Sequence, residues 1–375
     1  MPSITVEQVL TPQGMQKHQR IDIENGYISK IGPAAENETH FQVHTLLPGY
    51  VDTQVNGGGG VLFNQAPCED ALNTMAEAHL RYGSTSMLPT IITDNAATMA
   101  QAAQAVANVI AQQHSTIKGI HFEGPFLSTA KKGVHDASFI RTPSDKEIAT
   151  LCRHDIGKVL LTVAPETVSL DFIKEISQEG VIVAIGHTNA SFEQVNKALQ
   201  AGATGFTHLY NAMSAFTSRE PGAVGAALMN NAAYSGLIVD HHHVHPQSAL
   251  FAINTKGAHR IMLVTDAMAH VGCDITRLPF FDTEIIRQGD KLTTPEGTLA
   301  GSCLDMHSAL VNTCRDLNIT LAKASEMASL TPARFVGLDD EIGVIASGYR
   351  ANFVALDETL NLCNVWVNGE LIARG

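Results

Sequence analysis

The stretch TSMLPTIITDNAATMAQAAQAVANVIAQQHSTIKGIHFEG (Thr85–Gly124) reads as one strand–helix–strand unit. A short β-rich run, TSMLPTI, leads through a polar loop into a long helical pattern, Asn95–His114. A second β-rich run, IKGIHFEG, follows. Outward in both directions the same alternation recurs. LPGYVDTQV precedes it; KVLLTVAP, VIVAIGH, TGFTHL, GLIVD and RIMLVTDA follow. Helical stretches such as EDALNTMAEAHLRYG and SFEQVNKALQAG lie between them. About eight such units over roughly 290 residues predict an α/β chain with a (β/α)8 TIM-like barrel. A doubly wound open sheet fits less well, because no G-x-G-x-x-G opens a helix after the first strand and Gly57–Gly60 leads into VLFNQAP.

The two ends differ from the middle. IDIENGYISKIG and NVWVNGELIARG alternate apolar and polar residues around Asn25-Gly26 and Asn368-Gly369, a strong two-residue hairpin signal. The expectation is a small discontinuous β domain built from both termini, residues 1–46 and 343–375, around a barrel at 47–342.

Composition narrows the function. The 375 residues are 45% apolar and 16% charged, with a net charge of −13 and no basic cluster. Nucleic acid and membrane surfaces are therefore poor partners. Six scattered cysteines without a C-x-x-C read as reduced thiols. MPSITVEQVLTPQ lacks the features of a signal peptide, and no apolar run reaches the ~18 residues of a membrane span. The expected location is cytoplasmic.

Barrel chemistry collects at the C-terminal ends of the strands. There the sequence offers Glu123 in HFEGP, His187 in GHTNA, His208 in THLYNAM, four histidines in DHHHVHP, and Asp266 in TDAM. A carboxylate and two imidazoles form a usual ligand set for a catalytic zinc, with a fourth position for water. Each residue alone is more often structural; their recurrence at successive strand tips is hard to obtain from core packing. At strand one, where metal-dependent hydrolases often carry His-x-His, stand Gln54 and Asn56, which are poor zinc ligands.

The words LPGYVDTQVNGGGG, HFEGPFL with KKGVH, GHTNASFEQ, THLYNAM with REPG, LVTDAM and GTLAGS resemble the N-acetylglucosamine-6-phosphate deacetylase family of the amidohydrolase superfamily. The resemblance runs from about residue 46 to 350. GVIASGYRANFVALD resembles the family's return into its small domain, with Asn352 where Asp is more usual.

The resemblance implies one divalent metal per chain, zinc with iron or cobalt as alternatives, held by Glu123, His187 and His208. Gln54 and Asn56 then place the chain in the single-metal subgroup and line the pocket by hydrogen bonds. Lys158 stands at the start of its strand, the wrong end for a bridging carboxylated lysine. Asp266 would be general base and then acid, and His135 would polarise the acetyl carbonyl. The backbone amides of Asn211 and Ala212, with Arg219 from the neighbouring subunit of a homodimer, would hold the phosphate. Val134, His243, Leu299, Ala300 and Gly301 would contact the sugar; His241 stands where relatives carry a glycine and would narrow the pocket or face solvent, while His242 and His245 would not be ligands.

The implied reaction is hydrolysis of N-acetyl-D-glucosamine 6-phosphate to D-glucosamine 6-phosphate and acetate, in amino-sugar catabolism. The galactosamine epimer is the near alternative. A deaminase or cyclic amidase, and a non-catalytic phosphosugar-binding barrel, are more distant ones.

Overall fold

The computed structural model describes residues 3–35, 42–112 and 116–374. The last two residues of the expected helix Asn95–His114, and residues 1–2, 36–41 and 375 of the expected terminal domain, lie outside them.

Eight parallel strands form the central sheet. They are β1 (Tyr50–Val55), β2 (Ser84–Ile92), β3 (Gly119–Glu123), β4 (Lys158–Val163), β5 (Ile182–Ile185), β6 (Gly205–Phe206), β7 (Tyr234–Leu237) and β8 (Ile261–Leu263), paired in that order. The circle closes between β8 and β1. There Val55 bridges Ala267, Asp266 N–H donates to Gln54 O at 3.0 Å, and Asn56 N–H donates to Ala267 O at 2.9 Å. The strands are buried on both faces, as a barrel wrapped by helices requires.

The connecting helices begin where the sequence supplies caps. Asn95 accepts from the amides of Ala97 and Thr98 to start Ala96–Ile110. Ser191 and Gln194 form a capping box on Phe192–Ala201, which stops at Gly202.

Both termini enter one seven-stranded sheet: Ser3–Thr11, Gly14–Glu24, Tyr27–Pro33 and Val43–Pro48 join Phe353–Leu356, Leu362–Val367 and Glu370–Arg374. The two Asn-Gly pairs make two of its tight turns, with φ of 51° and 81° at Asn25-Gly26 and 50° and 78° at Asn368-Gly369. Positive φ at both positions is what a type I′ hairpin needs. A separate core of Ile21, Ile23, Ile28, Phe353 and Trp366, among others, lies against this sheet.

One element was not anticipated. After β8 the chain forms a three-stranded antiparallel flap, Arg277–Phe280, Thr283–Gln288 and Lys291–Thr293. Phe280 and the following Thr298 and Leu299 bring it to the mouth of the barrel.

Candidate active site

A cavity of about 380 Å³ opens at the C-terminal ends of the strands. Glu123, His135, His187, His208, His243 and Asp266 line it, together with Val134, Asn211, Ala212, Leu299 and Gly301. A larger cleft of about 590 Å³, between the terminal sheet and the helices after residue 320, holds none of these groups. Its Arg334 lies 3.8 Å from both Glu326 and Asp339.

Glu123 ends β3, while His187, His208 and Asp266 lie just beyond β5, β6 and β8. Those last three adopt φ of 47°, 29° and 52°, the left-handed region that non-glycine residues rarely enter. Such backbone persists where its surroundings over-determine it, and it clusters at functional sites. Here it turns each side chain inward across the barrel mouth.

Three ligand atoms converge. Glu123 Oε1 lies 3.1 Å from His187 Nε2 and 3.0 Å from His208 Nε2, and the two Nε2 atoms are 3.0 Å apart. His187 Nδ1 sits 2.9 Å from the carbonyl of Lys131, which can only accept, so Nδ1 carries the proton. That leaves Nε2 of His187 facing Glu123 and His208, and a cation set among the three atoms would relieve their crowding. Bonds of ~2.0–2.1 Å in tetrahedral geometry separate donors by about 3.3 Å, close to what is seen. The residues fit a divalent ion.

His135 extends the set, since its ligand atom and those of Glu123 and His187 fall within 4.8 Å of one another. Its Nδ1 is 2.8 Å from Thr93 Oγ1. The contacts with His208 are the shorter ones, so geometry favours His208 as the third ligand and leaves His135 beside the centre.

Burial opposes charge on Glu123, but hydrogen bonds from His187 and then His208 hold its carboxyl well below the usual range. His135 is kept neutral by burial first and His187 second. Asp266 behaves oppositely: burial, then the charge of Glu123, raises it to about 6.

Gln54 and Asn56 serve the carboxylates. Gln54 Nε2 donates to both oxygens of Glu123 and to Asp266 Oδ1, each at 3.2 Å, and Asn56 Nδ2 donates to Asp266 Oδ1 at 2.7 Å.

Two sequence expectations, for Asn211 and Ala300, look different in place. Asn211 N–H donates to the His208 carbonyl at 3.0 Å, because the chain turns tightly after β6; it is directed back into its own loop, not toward a phosphate. Ala300 is fully buried behind the wall formed by its neighbours, its N–H given to Leu292 O at 3.3 Å. Arg219 sits on the exposed loop 215–220 and does not line this chain's cavity.

The histidine run divides. His243 faces the cavity with Nδ1 2.6 Å from Asp240, whereas His241 and His242 pair with Asp316 and Asp290 at 3.0 and 2.9 Å, and His245 caps the helix Pro246–Lys256. The sequence reading did not single out Lys131, Met268, Phe280 and Thr298, which also line the cavity. KKGVH was the available signal for Lys131. Phe280 had none, because the turn that follows it, Phe281-Asp282, carries no turn motif.

The amidohydrolase family pattern matches residues 45–372. A Shewanella sp. (strain ANA-3) protein named N-acetylgalactosamine-6-phosphate deacetylase is 45% identical, covering 97% of this chain and 94% of that one. This chain belongs to the N-acetylglucosamine-6-phosphate deacetylase family of the amidohydrolases. A Haemophilus influenzae N-acetylglucosamine-6-phosphate deacetylase is 34% identical over 93% of each chain. The crystal structure of the Pasteurella multocida N-acetylglucosamine-6-phosphate deacetylase superposes with a TM-score of 0.93 at 32% identity, over 99% of both chains. Membership makes this chain a metal-dependent hydrolase of amides, and the buried Glu–His–His cluster fits that chemistry. No helix among the described residues is long and apolar enough to cross a membrane.

Proposed function

We propose that this chain hydrolyses the acetamide of an N-acetylhexosamine 6-phosphate to acetate and the free amino-sugar phosphate, in amino-sugar catabolism. The observation that carries it is the convergence of Glu123, His187, His208 and Asp266 at one cavity. Glu123, His187 and His208 would hold a single zinc, or iron or cobalt in its place. When bound, the ion lowers the pKa of a water toward about 7 and polarises the acetyl carbonyl.

Asp266 takes the proton of the attacking water and delivers it to the departing nitrogen, since an amine leaves readily only when protonated. Gln54 and Asn56 occupy Oδ1 of Asp266, so Oδ2 is the oxygen that carries the proton. His135, neutral and beside the ligands, steadies the acetyl oxygen. Val134, His243, Leu299 and Gly301 hold the sugar, with Ala300 acting through the backbone. The Ala212 amide and Arg219 of a neighbouring copy hold the phosphate in a homodimer, since a phosphate dianion calls for a guanidinium. Segments 1–46 and 343–375 form a separate small domain. The seven-stranded sheet supports that division, with its strand Val43–Pro48 running two residues past the boundary. A cytoplasmic location accords with the substrate.

The gluco and galacto epimers differ at one hydroxyl, and relatives of both specificities match. Identity of 45% to the galactosamine enzyme against 34% to the glucosamine one favours the galacto substrate. Acetate release from both 6-phosphates and their unphosphorylated sugars tests this. Turnover of both phosphates with the galacto one preferred is expected; no acetate from either would refute the reading.

A further inference from the structure

Asp52 is fully buried on β1, two residues before Gln54, and takes no part in the chemistry above. Its carboxylate spans the seam where the barrel closes. Oδ2 accepts from Thr265 Oγ1 at 2.5 Å, and Oδ1 accepts from the amides of Gln54 at 3.2 Å and Thr265 at 3.4 Å. The backbone contacts across this seam lie at Gln54–Asp266 and at Val55 and Asn56 with Ala267, so the Asp52 side chain adds a link one step earlier, between residues 52 and 265. From the far side, Ser302 Oγ donates to Thr265 O at 2.5 Å and Ser302 N–H to Asp266 O at 2.9 Å. Asp266 is thus pinned on both sides in its left-handed conformation, with its own N–H on Gln54 O.

We propose that Asp52 is a positioning residue: with Thr265 it clasps β1 to β8 and aims Gln54 and Asp266 together at the reacting atoms. A carboxylate suits the task because it accepts from two amides and a hydroxyl at once. The side chain does not line the cavity and bonds to none of Glu123, His187 and His208; it acts through its neighbours. The inference rests on Asp266 as proton carrier.

The test compares wild type, Asp52→Asn, Thr265→Val and Thr265→Ser in acetate release from both N-acetylhexosamine 6-phosphates. Metal content and melting temperature are measured in parallel, and a crystal structure of Asp52→Asn is determined. Misplacing a catalytic group by about 1 Å costs roughly 10²-fold, so Asp52→Asn and Thr265→Val should lose about that in kcat with KM within about threefold. Metal should stay bound, Thr265→Ser should retain activity, and Asp266 in Asp52→Asn should have left its left-handed conformation.

Near-wild-type kcat in Asp52→Asn, or a loss that only tracks lost metal or folded protein, overturns the proposal. If Asp52→Asn does not fold, the Thr265→Val and Thr265→Ser pair decides: equal activity in the two overturns it. If wild type turns over neither substrate, the functional reading fails. The crystal structure then judges the clasp alone, an unmoved Asp266 overturning it and a displaced one supporting it.

Discussion

Replacing Asp266 by Asn isolates the proposed proton carrier. In the native site Oδ1 accepts from Asn56 Nδ2 at 2.7 Å and Gln54 Nε2 at 3.2 Å. The amide of Asp266→Asn must keep its oxygen there, since turning its NH2 toward those donors would set donor against donor. The NH2 therefore takes the place of Oδ2 and faces the cavity without a lone pair. Shape and neighbouring contacts survive while proton acceptance is lost. General acid–base catalysis is worth about 10²–10⁴-fold, or about 3–5 kcal/mol on the barrier. Steady-state acetate release should show kcat lowered by that factor, with KM and bound metal close to wild type. A variant that binds metal and keeps kcat within about threefold would refute the role.

Other perturbations follow from the same geometry. His208→Ala removes one of the three proposed ligands and should abolish both tight metal binding and turnover; elemental analysis finding a full complement of metal would assign the third ligand to His135. Asp266 must be ionised to accept a proton and holds its own up to about pH 6, so kcat/KM should fall as pH drops through about 6. Asp266→Asn should erase that limb. Arg219→Ala should weaken a phosphorylated substrate by about 1.5–3 kcal/mol, the cost of a lost charged hydrogen bond, and spare an unphosphorylated one. If mixed Arg219→Ala and Asp266→Asn chains stay inactive after proven subunit exchange, the shared site is wrong. Burial raises Asp52 to about 7 from 3.8, so the folded state binds the extra proton between those values. That contribution to stability is present below about pH 4 and lost as pH rises to about 7, and Asp52→Asn should flatten the matching decline in melting temperature.

The barrel was legible because its units repeat: apolar runs such as KVLLTV must be strands buried on both faces, and the capped amphipathic stretches between them must be helices. The Asn-Gly pairs gave the terminal hairpins for an equally local reason. The flap after β8 was not legible, since RLPF and TEIIRQ are short, mixed in polarity and joined without a two-residue turn signal. At the site, residue type and strand-tip position pointed to Glu123, His187, His208 and Asp266. Gln54 and Asn56 were legible as non-ligands that line the pocket by hydrogen bonds; that each donates to a carboxylate of the site depends on how β1 meets β8. Asp52 was invisible for the same reason, because its partner Thr265 lies 213 residues away. The direction of the Asn211 amide is a backbone property that no side-chain motif encodes.

In the proposed reaction one divalent ion, held by Glu123, His187 and His208, serves the hydrolysis. The most direct measurement is to strip the chain with a chelator and titrate zinc back while following acetate release from N-acetylgalactosamine 6-phosphate. Activity should be absent at the start, rise linearly and level off at about one equivalent per chain. Full activity in the stripped protein, or a break at two equivalents, would contradict the account.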